Sequence, residues 1–177
     1  MTPTLEQLLG ARARIAFAAV RDFRKAAPPP VDTATPELED EHREALEDFR
    51  ARAEAGDAYA QWIMGRAAEK GLADPSGPGA ARAWYERAAA GDLPEAINDL
   101  AVERHRACDP NPASGEALIA AYERAADGGL AEALCNLGLA FHHYRGYTGR
   151  AKGNVLFEEA AVAGVPEADS LRREPPP

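Results

Sequence analysis

Aromatic residues are scarce in this 177-residue sequence, with Phe, Trp and Tyr together at 7%. Runs of β-branched residues, which favour strands, are few as well. Alanine is abundant instead, so a core must form from small side chains at close range, as it does between paired helices. Positive charge is in deficit. Lys and Arg number 20 against 29 Asp and Glu, a formal net charge of −9, which argues against a nucleic-acid surface. No stretch approaches the roughly 20 apolar residues of a membrane helix. The early apolar run "IAFAAV" at 15–20 is short for a secretory signal and is flanked by Arg14 and Arg21. A cytoplasmic protein without membrane insertion is the expectation. Cysteine is nearly absent. Cys108 and Cys135 do not make a C-x-x-C spacing. In the chain's internal repeat they fall near opposite ends of equivalent helices, about ten residues of helix or roughly 15 Å apart, beyond disulfide reach. Both are expected to be free and structural.

What the sequence does have is repetition. "WYERAAAGDLPEA" at 84–96 returns 37 residues later as "AYERAADGGLAEA" at 121–133. Weaker copies are "FRARAEAGDAYA" at 49–60 and "FEEAAVAGVPEA" at 157–168. Their final alanines, Ala60, Ala96, Ala133 and Ala168, are 36, 37 and 35 residues apart. A fixed period of this length marks stacked supersecondary units. Each unit reads as two antiparallel helices. In the third, Leu118, Ala121, Tyr122 and Ala125 make an apolar stripe at i, i+3, i+4 and i+7. Gly128–Gly129 ends that helix, and Ala133, Leu134, Leu137, Gly138 and Phe141 face inward from the next. Gly138 and its counterparts Gly65 and Ala101 are expected to let helix axes approach closely. Breaker-rich loops separate the units: "LADPSGPG" at 72–79, "CDPNPASG" at 108–115 and "YRGYTG" at 144–149.

These phrases resemble a known family. "AQWIMG" (60–65), "ALCNLG" (133–138) and the looser "AINDLA" (96–101) are similar to the first half of the SEL-one-like repeat, a branch of the tetratricopeptide superfamily. "AWYERAA" (83–89), "AAYERAA" (120–126) and "LFEEAA" (156–161) are similar to its second half. The likeness spans about residues 37–171. It departs from the family in its loops, "PSGPG" and "PNPASG", and in a last unit cut short after Leu171. The resemblance implies an all-α, right-handed α-solenoid of about three and a half helix-turn-helix repeats, at 37–71, 79–107, 115–144 and 150–173. It also implies an adaptor or regulatory protein, often bacterial, that binds another protein or peptide in its concave groove without a cofactor.

The ends differ from the middle. Residues 1–27 hold an amphipathic helix, over 4–26, with Leu5, Leu8, Ile15, Ala19 and Phe23 inward and a capping box at Thr4 and Gln7. It is expected to cap the first unit; a partner-binding or membrane-surface helix is the alternative. "PPPVDTATP" at 28–36 reads as an extended linker, with Thr35–Pro36 starting the next helix. The tail at 174–177 is expected to be disordered.

Catalytic signatures are missing. Ser76, Ser114 and Ser170 have no lysine three residues on, and there is no G-x-S-x-G, P-loop or dinucleotide fingerprint. Hydrolysis of the β-lactam kind, described for some SEL-one-like proteins, is therefore the least favoured role. His105 and His142 fall one repeat apart, a separation of roughly 10 Å between adjacent helices, too long to share one ion. His143 points to a different side from His142, so no metal site is expected. Charge is uneven: "ELEDEHREALED" at 37–48 carries seven acidic residues and one arginine. The first helix opposes it with Arg12, Arg14, Arg21, Arg24 and Lys25 against Glu6 and Asp22. The acidic segment suits solvated faces that attract each other, or a decoy in an inhibitor or immunity protein, the alternative function. First helices of a solenoid line its concave side. The expected partner-binding row is Arg82, Glu86 and Arg87, with Ile119, Glu123 and Arg124 in register. Trp62, Trp84 and Tyr85 are expected in the core.

Overall fold

The structure is a computed structural model that describes Leu5 and residues 40–73, 78–106 and 112–173. The expected N-terminal helix, the linker and the tail lie outside these residues, as do Ser76 and Cys108. Leu5 alone of that helix is described, and it is helical and buried.

Among the described residues there are eight helices and no strand. They are α1 (Asp40–Glu54), α2 (Ala58–Glu69), α3 (Pro78–Ala90), α4 (Pro94–Arg106), α5 (Pro112–Asp127), α6 (Ala131–Tyr144), α7 (Gly146–Val162) and α8 (Ala168–Arg173). The protein is all-helical, as an alanine-rich, strand-poor composition implies.

One corner closes α1, α3, α5 and α7, and a fifth copy closes α2, where the Gly71 amide (φ 70°) donates to Ala68 and the Leu72 amide to Ala67. Gly56, Asp92, Gly129 and Gly164 follow α1, α3, α5 and α7 with φ of 101°, 60°, 93° and 88°. In each case this residue's amide donates to the carbonyl three residues back: Ala53, Ala89, Ala126 and Ala161. The next amide, of Asp57, Leu93, Leu130 and Val165, donates five residues back to Arg52, Ala88, Ala125 and Ala160. This double bond is the Schellman ending, which satisfies the carbonyls a helix leaves open and reverses the chain. The left-handed residue is one place later than the repeated glycine of Gly91 and Gly128 suggests. Gly91 has a separate reason to be small, because a Cβ there would lie 3.0 Å from the Ala58 Cβ. Aspartate tolerates left-handed backbone less well than glycine. Asp92→Gly should therefore stabilise the fold by up to about 1 kcal/mol, and Gly129→Ala should cost about 1 kcal/mol, both read from urea unfolding midpoints.

The described helices fall into two units that divide within α4, between Ala96 and Ile97. In the first unit, Leu46, Phe49 and Ala53 of α1 and Trp62, Ile63 and Met64 of α2 are buried, as is Tyr85 of α3. Asp57 caps α2: its Oδ1 accepts from the Ala60 amide at 3.0 Å, and its Oδ2 pairs with Arg52 at 2.7 Å. The Ala60 amide, and then Arg52, hold the Asp57 carboxyl below the usual range. Gln61, buried, spends its amide on the Ala53 carbonyl at 3.0 Å. The joint between α2 and α3 is a glycine under a ring. A Cβ on Gly65 would stand 2.5 Å from the Tyr85 ring, and the Tyr85 hydroxyl donates to Glu69 one turn further along α2, at 2.8 Å.

The second unit repeats that joint between α6 and α7. A Cβ on Gly138 would stand 2.5 Å from the Phe157 ring and 3.0 Å from the Gly153 carbonyl oxygen, so the two backbones nearly touch. Phe157, Tyr122, Val102 and Leu171 are wholly buried here, with Leu118, Leu137 and Phe141 beside them. The expected inward stripes of α5 and α6 are thus the buried ones, although Ala121 and Leu134 are only half-covered. Tyr122 occupies the position of Tyr85 and Phe157. Its hydroxyl lies 3.2 Å from His105 Nδ1, where Glu69 serves Tyr85. Phe157 has no hydroxyl to satisfy, and the corresponding His142 instead places Nε2 3.2 Å from Asn154 Oδ1. Buried amides are also paired: Asn136 Nδ2 donates to Asn98 Oδ1 at 2.6 Å, and both residues are fully inaccessible. Cys135 is a buried thiol outside any disulfide.

Candidate interaction surface

In the first unit the expected row sits on α3. Arg82, Glu86 and Arg87 are exposed. Arg82 Nε reaches Glu86 Oε1 at 2.9 Å, one helical turn on. Arg87 is anchored: its guanidinium lies 4.4 Å over the Trp84 ring and donates to the Ala53 carbonyl at 3.1 Å. Trp84 is half-buried under it, whereas Tyr85 and Trp62 are core residues.

In the second unit Glu123 and Arg124 are exposed on α5, but Ile119 is not. At 6% exposure it belongs to the core beside Leu118 and Tyr122. The buried arc of α5 is wide enough to take two adjacent positions, Leu118 and Ile119, as core-facing helices of globular proteins commonly do. Ile119 is therefore removed from the row.

Two ion pairs that the sequence reading missed complete this face. Glu116 of α5 pairs with Arg145 at the start of α7, and Glu123 lies 3.9 Å from Lys152. Both carboxylates and both cations are seven residues apart, two helical turns, so the pairs form successive rungs between α5 and α7. Matching seven-residue spacings of opposite charge were the only signal in the sequence. Beside the rungs is a depression of about 160 Å³ lined by Phe141, Arg145, Thr148, Gly149 and Lys152. Lys152 Nζ stands 4.2 Å over the Phe141 ring, and the Thr148 hydroxyl donates to the Arg145 carbonyl at 3.1 Å. The rungs are solvent-exposed, and exposed ion pairs contribute about 0–1 kcal/mol each. Arg145 and Lys152 are thus held in place yet can exchange Glu116 and Glu123 for a partner's carboxylate at little loss. The surface offers two cations and a hydroxyl at the edge of the largely buried Phe141 ring.

A ring cluster lies elsewhere in the same unit. The His105 ring centre is 5.8 Å from that of His143, 5.9 Å from Tyr144 and 6.0 Å from Tyr122. His105 thus meets His143 rather than its register mate His142. The reason is helical rotation. His142 turns into α7, where Gly153 leaves room for its ring and Phe157 packs 5.4 Å away, and the next residue faces another way. Burial, and then the neighbouring His143, push His105 down to about 4. Burial also lowers His142, against the Asn154 hydrogen bond. Among the described residues no three His, Cys, Asp or Glu side chains group to hold a metal ion, and no helix is long and apolar enough to cross a membrane. No family model, curated protein or solved structure matches the chain.

Proposed function

We propose that this chain is a non-catalytic protein-interaction module, a right-handed α-solenoid of about three and a half hairpins that binds a partner protein or peptide. The repeated Schellman corner and the glycine–aromatic joint, used twice, support the tandem architecture. The single observation that carries the binding role is the pair of exchangeable rungs, Glu116–Arg145 and Glu123–Lys152, beside the Phe141 depression. Bound partners draw affinity from a few anchors, and here an acidic side chain between Arg145 and Lys152 with an apolar neighbour on Phe141 fits the surface. Arg82, Glu86 and Arg87 on the first unit, and Arg124 on the second, extend the same reading.

The test is affinity capture from the native cell at two salt concentrations, with wild type against Arg145→Glu/Lys152→Glu. The wild-type chain should retain its partner at low salt and release much of it at high salt. The double variant should bind at least about tenfold more weakly with an unchanged unfolding midpoint. Equal retention by the variant sinks this reading. One stoichiometric partner that is an enzyme or toxin would favour an inhibitor over an adaptor.

A further inference from the structure

We propose that His105 and His143 form a two-imidazole binding site for a borderline divalent cation of the Zn²⁺ and Ni²⁺ class. The proposal stands apart from the partner-binding reading, since neither histidine belongs to the α5–α7 rungs. The first support is distance. Two imidazoles that share a tetrahedral ion through ring nitrogens at about 2.0–2.1 Å place their ring centres roughly 5 Å apart. The observed separation is 5.8 Å. His143 is exposed, so a side-chain rotation away from the Tyr144 ring closes the difference.

The second support is orientation. His105 is held by its Nδ1, 3.2 Å from the buried Tyr122 hydroxyl. With the proton on Nδ1 and donated to the Tyr122 oxygen, Nε2 is the ligating atom. Metal-binding histidines characteristically use their second nitrogen in this way, because an outer partner fixes the ring and its tautomer. His142 has no such freedom, being engaged by Asn154 and packed on Phe157.

The third support is the wall. Tyr144 lies 4.6 Å from His143 and 5.9 Å from His105, centre to centre, so the three rings from α4 and α6 pack together. Two protein nitrogens and water at the remaining positions make an open site, suited to reversible binding.

The experiment titrates Ni²⁺ into the full chain by calorimetry and follows the melting temperature. A Cys108→Ser background removes the thiol three residues from His105 in sequence. One ion should bind per chain, and the melting temperature should rise with free Ni²⁺ as mass action requires. His143→Ala removes an exposed side chain that packs on Tyr144, so its metal-free melt should fall by at most a few degrees. It should bind Ni²⁺ at least tenfold more weakly and lose the temperature rise, whereas His42→Gln should keep both. Unchanged affinity in His143→Ala, or no saturable binding by the parent up to millimolar Ni²⁺, overturns the site.

Discussion

Phe157→Ala should lower the unfolding free energy by about 3–5 kcal/mol, the range for emptying a large buried aromatic site. The ring is fully inaccessible, lies against Gly138 and has His142 5.4 Å away. Those contacts come from two helices that already approach each other closely, so the surroundings have little room to collapse into the void. The complementary change adds bulk. Gly138→Ala drives a methyl to within 2.5 Å of the same ring and 3.0 Å of the Gly153 carbonyl, and overpacking of this kind costs about 1–3 kcal/mol. Urea unfolding followed by far-UV circular dichroism measures both. Trp62 and Trp84, the only tryptophans, lie in the first unit, so fluorescence follows that unit separately.

Acid should destabilise the fold by about 3 kcal/mol through His105 alone. Its imidazole is moved from 6.5 to about 4, chiefly by burial. Between those values the unfolded chain takes up a proton that the native one refuses, so stability falls as the solution is acidified. The contribution is complete above 6.5 and exhausted below about 4. His142, lowered by burial, acts in the same sense. Asp57 is distinguishable, because a depressed carboxyl loses its stabilising effect only at lower pH, as the carboxylate itself takes a proton. His105→Gln keeps a polar partner for the Tyr122 hydroxyl and removes the titration. Its stability should vary less between 6.5 and 4 than that of wild type, in unfolding midpoints measured at several pH values. An identical slope in both proteins would show that His105 does not titrate as described.

Much of this was written in the sequence. The 36, 37 and 35 residue spacing of the alanines is also the spacing of the left-handed corners, since a Schellman turn and the alanine four residues on belong to one local structure. The identity of the left-handed residue was harder to see, because aspartate can occupy a place where glycine was expected. Rotation about the helix axes was harder still. Repeat register gives height along a helix and not rotation, so it places Ile119 outside although it is buried, and pairs His105 with His142 although it meets His143. Register does not single out Arg145 and Lys152, because their significance depends on which side of α7 faces α5.

Two double-mutant cycles test most directly whether one hairpin seats its aromatic ring on the glycine of the hairpin before it. Gly138→Ala is measured alone and with Phe157→Leu, and Gly65→Ala alone and with Tyr85→Leu. If the ring is what the added methyl strikes, each alanine loses most of its cost in the leucine background, with a coupling above about 1 kcal/mol at both joints. Additive costs at both joints would contradict the shared construction and with it the reading of the chain as one unit repeated.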